Sequence, residues 1–377
     1  VLVHVTALRY AEDPAGSALV GVHCEGWRHR PGQPYRVKGL PELVLGYTAY
    51  APDSGSFHLM RQITGDPMPG ANAPPFTVLT DLYGEGLPGI LYRDEAATRF
   101  WSPVQTEEAP TAPVVAYAPE PPRAAPLRSD LGQWLDLNSD GRGALVCAAG
   151  DATGYWRMAS MPDPHWEDFV ALPRGILHDL GAQTELADLS GTGRNDRVRI
   201  DPTHLVYCES LGTNGFLPPR TLVKPEGLAI SGGPQLAELT GFADFMGAGT
   251  PQRFRIRDAS IELWPSLGWG AFAACVVLAG APRLGPNWDP ARLQWADLDG
   301  SGCPALIYVH NDRVEIYDSL GGNGFAAVPR VIALPMCIAT PDQVSFANVY
   351  GVSECLLVRQ ELPAAVQWVY DFCSAGK

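Results

Sequence analysis

The chain has 377 residues and a formal net charge of −14, with 46% hydrophobic and 18% charged residues. Such a negative charge argues against a nucleic-acid backbone or an anionic membrane surface as the partner. The sequence contains no run of 18 apolar residues, so we expect no membrane insertion by this domain.

The first 50 residues do not share the pattern found in the rest of the chain. Their apolar runs, VLVHVTALRY, SALVGVHCEGW and ELVLGYTAY, predict extra β-strands, which we interpret as a remnant of a neighbouring domain. The sequence starts with neither a methionine nor a basic-then-apolar signal peptide. We therefore interpret it as a piece of a longer protein, with extra strands over residues 1–50 and a main domain over residues 51–377.

Between residues 81 and 348 one short phrase recurs six times: an acidic residue, an apolar residue, a glycine turn and a new apolar run. The copies start at Asp81 (DLYGEGLPGILY), Asp136 (DLNSDGRGALVC), Asp188 (DLSGTGRNDRVRI), Asp244 (DFMGAGTPQRFRI), Asp297 (DLDGSGCPALIYV) and, in degenerate form, Asn348 (NVYGVSECLLV). A regular period of roughly 50 residues means one supersecondary unit per repeat.

The fifth repeat, residues 292–334, shows what each unit contains. Four apolar-rich segments, RLQWADL, ALIYV, VEIYDSL and AAVPRVIAL, are separated by the turn sequences DGSGC, HNDR and GGNG. Glycine and Asn-Gly are strong turn signals between strands. Four strands in one repeat are typical of a β-propeller blade. The sequence therefore predicts an all-β fold, a six-bladed β-propeller of four-stranded antiparallel blades preceded by a few extra N-terminal strands.

The last repeat offers only three strands before the sequence ends. Near its start, GSFHLMRQI from Gly55 resembles the fourth strand GFAAVPRVI from Gly324. We predict that Phe57–Ile63 completes the last blade and joins two distant parts of the chain, at a cost in loop-closure entropy.

A proline-rich stretch interrupts the first repeat. It reads PVQTEEAPTAPVVAYAPEPPRAAP over residues 103–126. Proline-rich segments favour extended conformations without regular pairing. We expect an extended surface loop there.

One repeat turn resembles the start of a calcium-binding loop. Asp136, Asn138 and Asp140 place three oxygen side chains at alternate positions, followed by Gly141. Most other repeats carry a residue that binds calcium poorly at the equivalent third position. If any turn binds calcium, these three residues are the predicted ligands. The alternative is that the leading aspartate hydrogen-bonds its own turn.

The sequence contains no arrangement typical of an enzyme. Residues 84–89 spell GxGxxG, but no helix is predicted after them, as a dinucleotide site requires. The eight histidines show no metal-ligand spacing, and no two of the eight cysteines lie within four residues of each other. We expect buried free thiols, no catalysis and no organic cofactor.

Four segments carry a resemblance to a known family: LADLSGTGRNDRVRI from Leu186, IELWPSLGWGAF from Ile261, NWDPARLQWADLDGSGCPALIYV from Asn287 and VEIYDSLGGNGF from Val314. They resemble the β-propeller domain in the B component of bacterial insecticidal toxin complexes (Tc toxins), related to the SpvB-type region with its FG-GAP/VCBS-like repeats. The resemblance covers nearly the whole sequence. It departs from the family in the proline-rich stretch and in Asn348.

This resemblance implies a non-enzymatic docking and gating module of a secreted or cell-released toxin. In the family, the B and C components form a hollow shell of RHS repeats around a cytotoxic fragment. The propeller closes one end of the shell, docks on the pentameric A component and serves as the exit gate. The implied partners are the A component and the rest of the shell.

Two other functions stay open at this point. One is a carbohydrate-binding or cell-surface adhesion propeller, and the other is an enzyme built on a propeller scaffold. If the chain is a gate, we expect it to open between Phe57–Ile63 and Val366–Phe372, since the degenerate sixth repeat has the fewest reinforcing features.

Overall fold

Short antiparallel strands make up almost all of the regular structure. The computed structural model describes residues 3–13, 16–63, 65–69, 77–93, 97–106, 114–124, 126, 132–147, 153–160, 163–172, 183–231, 237–361 and 365–374. Within these ranges, helix is confined to four 3-10 turns: η1 (Pro52–Ser54), η2 (Gly212–Asn214), η3 (Pro290–Arg292) and η4 (Pro341–Gln343). The predicted all-β class is confirmed.

The chain divides into two compact units, Val1–Ala49 and Tyr50–Ala375. The first unit is one antiparallel sheet of β1 (His4–Asp13), β2 (Gly16–Arg28), β3 (Arg36–Gly39) and β4 (Leu43–Val44), in which β1, β3 and β4 all pair with β2. The long β1–β2 pair shifts register between Arg9 and Tyr10. Strands were expected in this region and are present.

Within the described residues, most strands of the second unit form six antiparallel sheets of four or five strands. The others form two small sheets of two strands each. β5 (Ala49–Tyr50) and β6 (His58–Leu59) come first in the chain. Sheet 1 contains β7 (Thr77–Thr80), β8 (Gly89–Arg93), β9 (Ala97–Thr106), β10 (Val114–Pro119) and β11 (Arg123–Ala124). Sheet 2 contains β12 (Gly132–Leu135), β13 (Ala144–Cys147), β14 (Gly154–Arg157) and β15 (Val170–Ala171). Sheet 3 contains β16 (Glu185–Ala187), β17 (Asp196–Ile200), β18 (His204–Cys208) and β19 (Arg220–Val223).

The remaining three sheets follow the same plan. Sheet 4 contains β20 (Glu238–Ala243), β21 (Gln252–Arg257), β22 (Ser260–Trp264) and β25 (Val276–Val277), with the small hairpin β23 (Ser266–Gly268) and β24 (Ala271–Phe272) in its last loop. Sheet 5 contains β26 (Leu293–Ala296), β27 (Ala305–Val309), β28 (Arg313–Tyr317) and β29 (Arg330–Ala333). Sheet 6 contains β30 (Val344–Ala347), β31 (Cys355–Gln360), β32 (Val366–Tyr370) and β6, and β33 (Cys373–Ser374) ends the chain's strands.

The second strand of each repeat forms the most deeply buried part of its sheet. In β27 four of the five residues of ALIYV are buried, whereas the first four residues of β28 alternate between partly exposed and buried side chains. A strand that is covered on both faces has a continuous run of apolar residues, and a strand that is covered on one face alternates between apolar and polar residues. The second strand therefore lies between neighbouring sheets.

Hydrophobic clusters join five pairs of neighbouring sheets. One cluster holds Ile307 of sheet 5 with Leu356 of sheet 6, and another holds Leu357 of sheet 6 with Ile90 of sheet 1. Similar clusters join sheets 1 and 2, sheets 3 and 4, and sheets 4 and 5. Sheets 2 and 3 are joined by a hydrogen bond of 2.9 Å from the Thr213 amide to Asn138 Oδ1. The contacts between sheets therefore run in a cycle.

The segment predicted to complete the last sheet does so with its first half. Leu59 lies opposite Trp368 and His58 opposite Val369, and the Met60 amide donates to the Gln367 carbonyl at 2.8 Å. The second half crosses to sheet 1. There the Ile63 amide donates to the Tyr117 carbonyl at 2.9 Å, and the Tyr117 amide donates to the Arg61 carbonyl at the same distance. Residues 58–63 therefore fasten sheet 6 to sheet 1.

The expectation of a surface loop over residues 103–126 was wrong for most of the described part. Residues 103–106 belong to β9, residues 114–119 form β10 and residues 123–124 form β11. Ala116 and Tyr117 of β10 are both buried although they point to opposite faces of the strand. Pro119 is tolerated because β10 is the last strand of its sheet. Residues 107–113 and 125 lie outside the described ranges.

Candidate functional site

Each turn between the first and second strands of a sheet is held by its leading acidic side chain. Asp188 Oδ1 accepts from the Gly191 and Thr192 amides at 2.8 and 3.1 Å, and its Oδ2 accepts from the Gly193 amide at 2.6 Å. The aspartates that lead the first five repeats all bind their own turns in this way: Asp81, Asp136, Asp188, Asp244 and Asp297. The recurring acid is therefore a structural cap.

The glycines of the turn adopt backbone angles that other residues avoid. The third residue after the acid has φ of 73° in Gly191, and the fifth has φ of 81° in Gly193. The sixth turn keeps only the first of these, Gly351 at 83°. Its Asn348 Oδ1 accepts one bond, from the Gly351 amide at 2.7 Å. The sixth turn is therefore held by fewer described bonds than the turn at Asp188.

The loops between third and fourth strands lie at the same end of the sheets as these turns. Each contacts the turn of the preceding sheet: the Trp269 amide donates to the Leu189 carbonyl at 2.8 Å. A Cβ on Gly322 would lie 2.7 Å from the Met246 carbonyl oxygen. We call this end the turn face and define it by the six repeat turns (81–86, 136–141, 188–193, 244–249, 297–302, 348–353) and the loops 210–215, 265–270 and 318–325.

The turn face exposes apolar side chains. Leu267 is 64% exposed and Trp269 is 55% exposed. Leucine recurs at the same place in three of its loops, and the exposed apolar residues of the face are Leu211, Met246, Leu267, Trp269, Leu320 and Val352. Leu267 and Trp269, two positions apart in one loop, are the most exposed of these residues.

The opposite end of the sheets carries ion pairs. We call it the hairpin face and define it by the turns between second and third strands, residues 201–203, 258–259, 310–312 and 361. There Arg199 Nη2 lies 3.1 Å from Asp201 Oδ2, and Arg313 Nη2 lies 3.2 Å from Glu315 Oε1. Ion pairs are not confined to this end, since Asp140 pairs with Arg157 and Asp318 pairs with Arg330 at the turn face.

The three predicted calcium ligands come together in one turn, but each of their side chains has an oxygen that already contacts a protein group. Asp136 accepts from its own turn, including the Gly141 amide at 2.9 Å. Asn138 Oδ1 accepts from the Thr213 amide of sheet 3. Asp140 Oδ2 lies 3.0 Å from Arg157 Nη1. These contacts agree with the alternative of a self-bonded turn, and calcium binding here stays a prediction.

Acidic side chains gather around the fifth turn. Glu354 Oε2 accepts from the Asp297 amide at 2.6 Å. Burial and the neighbouring Asp299 carboxylate raise the pKa of Asp297, and burial raises the pKa of Glu354. Among the described residues no three His, Cys, Asp or Glu side chains are placed to hold a metal ion together. This cluster joins sheet 5 to sheet 6.

Two buried polar groups had no signal in the repeat pattern. Asp196 is fully buried and accepts from the Leu189, Ser190 and Ser210 amides and the Tyr207 hydroxyl. It ties the third turn to the loop beside it.

The second buried group is Arg253 of sheet 4, which forms an ion pair with the partly exposed Glu185 of sheet 3. Arg253 also donates from Nε to the Ala229 carbonyl at 3.1 Å and from Nη2 to the Ile230 carbonyl at 2.7 Å. A strand arginine four residues beyond a repeat turn gives no hint that its partner lies in another sheet.

The part of the chain that the structure describes holds no helix long and apolar enough to cross a membrane. No family model and no curated protein matches the sequence.

Solved structures of toxin complexes do match it. A chain in the Tc holotoxin pore of Photorhabdus luminescens is 29% identical over 99% of this chain, with a TM-score of 0.77. A chain in the TcdB2–TccC3 crystal structure is 25% identical over 99%, with a TM-score of 0.55. A chain in TcdB2–TccC3 without its hypervariable C-terminal region is 25% identical over 99%, with a TM-score of 0.58. The present sequence spans only 17%, 18% and 17% of those chains.

Proposed function

We propose, from the premise that this sequence is a domain of the Tc toxin B-component kind, that it is a six-bladed β-propeller that docks a toxin complex together and gates release of its cargo. The observation that carries the proposal is the match over 99% of the chain to a component of a Tc holotoxin pore, at a TM-score of 0.77. The partners would be an A component and the shell formed by the rest of a B and C component, in a toxin released from the cell.

The cyclic contacts between the six sheets support the propeller architecture. Each sheet packs on the next, and the sixth packs on the first through Leu357, Val369, Ile90 and Trp101. Radial packing of four-stranded sheets leaves only short edges exposed.

The chemistry of the repeat turns supports a role in binding rather than catalysis. Their carboxylates are occupied by backbone amides, as at Asp188. A general base must be within hydrogen-bond reach of a substrate proton, and a carboxylate whose oxygens cap a turn is poorly placed for that task.

The gate would open at sheet 6. Its fourth strand, β6, has two residues, and the Asn348 turn has one described side-chain bond where the Asp188 turn has three. Segments with fewer stabilising contacts open first, and a partner that binds the open form more tightly shifts the population toward it.

A reversible disulfide across the seam tests the gate. The Met60 amide donates to the carbonyl of its opposite residue, Gln367. The adjacent opposite residues Leu59 and Trp368 are therefore a non-hydrogen-bonded pair, in which side chains lie closest. We expect the oxidised Leu59→Cys/Trp368→Cys variant to bind the A component and to retain its cargo. Addition of reductant should restore release.

The single variants Leu59→Cys and Trp368→Cys under the same oxidation control for the loss of either side chain. Release by the oxidised double variant at the rate of the single variants would refute gating at this seam. Loss of A-component binding in every variant would instead point to a damaged docking surface.

A further inference from the structure

The hairpin that joins β2 to β3 is basic in an otherwise acidic chain. Residues 26–41, GWRHRPGQPYRVKGLP, contain three arginines and one lysine and neither aspartate nor glutamate, whereas the whole chain has a formal net charge of −14. We call this segment the arginine hairpin. A local concentration of positive charge attracts anions even where the net charge of a protein is negative.

Two of the arginines lie directly opposite each other. Arg28 of β2 is paired with Arg36 of β3 in the antiparallel register. Opposite residues of such a pair project from the same face of the sheet, and like charges in this position are destabilising. The neighbouring Trp27 and Tyr35 pack against each other with ring centres 5.9 Å apart, which holds the two strands together beside the pair. A bound anion would offset the repulsion between the two guanidinium groups.

A tight turn places the third arginine beside this pair. The Gln33 amide donates to the Arg30 carbonyl at 3.0 Å, and Gly32 between them has φ of 75°. Proline followed by a glycine of positive φ is typical of a type II turn, and Pro31 precedes Gly32 here. The turn and the strand ends form a surface cavity of 20 Å³, which is lined by Arg28, Arg30, Gln33, Pro34 and Arg36.

None of the three guanidinium groups has an acidic partner within the described residues. The two acids that flank the arginine hairpin in the sequence have other contacts. Glu42 Oε1 lies 3.0 Å from Arg9 Nε, and Glu25 Oε2 accepts from Trp27 Nε1 at 3.2 Å. The donors of the arginine hairpin therefore stay available for a ligand.

We propose that the arginine hairpin binds one tetrahedral oxyanion, a phosphate or sulfate group, either free or at the end of an ester. Guanidinium forks match the oxygens of such a group in geometry and in charge. Three forks can meet the several oxygens of a tetrahedral anion, whereas a carboxylate offers only two. This site goes beyond the proposed docking and gating and does not depend on them.

The size of the cavity and the charge of the chain narrow the ligand further. The volume of 20 Å³ exceeds the roughly 10–15 Å³ that a water molecule needs and is far below the roughly 150 Å³ of a cavity that holds benzene. A single anionic group fits such a space, and a sugar ring does not. A long polyanion would also have to approach the rest of an acidic chain, which repels it.

Arginine modification with phenylglyoxal in the full-length polypeptide tests the site, with each labelled residue identified by mass spectrometry. We expect Arg28, Arg30 and Arg36 to be labelled in chloride buffer and protected by millimolar inorganic phosphate or sulfate at the same ionic strength. Acetate should protect none of them. Arg9, which is already paired with Glu42, should be labelled equally in every buffer.

A matched pair of variants identifies the groups that bind the anion. Arg36→Gln removes one of the three guanidinium groups, so protection of Arg30 should need about tenfold more phosphate, as expected for the loss of a hydrogen bond to a charged group. Arg9→Gln removes an equal charge from the neighbouring strand β1 and should leave the protection of Arg30 unchanged. Equal effects of the two variants would reduce the site to general charge attraction and overturn the proposal.

Glycerol phosphate distinguishes the two sources of the group. Protection of Arg30 at a lower concentration of glycerol phosphate than of inorganic phosphate would assign the site to an ester, and the reverse order would assign it to the free anion. Both results support an oxyanion site.

Three other results would overturn the proposal. Equal protection by acetate, or by added chloride, would mean simple screening of charge. An Arg30 that is not labelled even without an added anion would mean that another segment of the polypeptide covers the cavity. Protection by heparin or by vesicles of anionic lipid, without protection by phosphate or sulfate, would mean a polyanion surface in place of a site for one group.

Discussion

Replacement of Arg253 by methionine should be among the most damaging changes to this fold. The side chain is fully buried, pairs with Glu185 of the neighbouring sheet and donates to the Ala229 and Ile230 carbonyls. Its guanidinium also lies 4.9 Å from the centre of the Phe242 ring. Methionine keeps most of the volume of the chain and removes the charge and every donor.

The expected loss follows from what the substitution leaves behind. Glu185 would keep only the weak bond from Ser231 Oγ at 3.4 Å. Glu185, whose side chain is 23% exposed, would be partly hydrated, whereas the Ala229 and Ile230 carbonyls would lose a donor that comes from a fully buried side chain. Leaving buried acceptors unsatisfied costs about 1–3 kcal/mol in the free energy of unfolding.

Arg255 on the same strand supplies the matched control. It pairs with Glu262, and both side chains remain partly exposed, at 21% and 23%. An ion pair of this kind is worth about 0–1 kcal/mol. We therefore expect Arg255→Met to be several-fold milder than Arg253→Met, and the double variant Arg253→Met/Glu185→Leu to recover part of the loss.

Denaturant unfolding followed by tryptophan fluorescence measures these differences as shifts in the midpoint at constant slope. The reasoning would be refuted if Arg253→Met cost no more than Arg255→Met. It would also fail if removal of the Glu185 carboxylate in the double variant gave no recovery.

The pH dependence of the free energy of unfolding of Arg253→Met tests the same reasoning, because the direction of the change can be predicted. Burial raises the pKa of Glu185, and the Arg253 charge opposes that rise. A carboxyl with a raised folded pKa takes up a proton on folding, so stability falls as the pH rises between its unfolded and folded pKa values. Without Arg253 this interval extends upward. The deficit of Arg253→Met should therefore shrink as the pH is lowered toward the unfolded pKa of about 4.3.

Three further outcomes are expected. Asp188→Ala, which removes three turn bonds, should cost more in the free energy of unfolding than Asn348→Ala, which removes one, with about 1 kcal/mol per bond; equal losses in denaturant unfolding would contradict the capping role. Gly322→Ala should destabilise more than Gly302→Ala, since both have positive φ (78° and 79°) and only the first Cβ would meet a backbone oxygen, at 2.7 Å. Thermal midpoints in the reverse order would show that the neighbouring turn yields. If titration calorimetry detects calcium binding, Asp140→Ala should abolish it; binding that survives this change would place the metal at another turn.

The repeat period predicted the strands well because it reflects a physical requirement that recurs in every sheet. In the first five sheets an acid that caps a turn, two residues of positive φ and a new apolar run occur in that order where the first two strands join. The closing strand was also predictable, because His58–Leu59 follows the same pattern as the fourth strand of the fifth repeat.

Contacts between sheets were not predictable from the repeat pattern. The crossing of Arg61–Ile63 to sheet 1 depends on the free edge of β10, which itself lies in a stretch that its prolines made look like a loop. The bond from Thr213 to Asn138 was equally hidden, since a calcium loop and a contact between sheets use the same amide oxygen. The spacing of residues in the sequence shows which hydrogen-bonding groups a turn contains. Only the packing of the sheets shows which partner each group binds.

The fastening of residues 58–63 to sheets 6 and 1 also sets an order for folding. Tyr370 donates to the carbonyl of Pro52, a residue 318 positions earlier in the chain. Contacts between such distant parts form slowly, because loop-closure entropy is lost before they stabilise anything. During synthesis the closing strand emerges long before the sheet that receives it. Sheets 1 to 5 must therefore assemble while His58 and Leu59 are unpaired, and the face of sheet 1 that packs on sheet 6 stays uncovered until the final strands arrive.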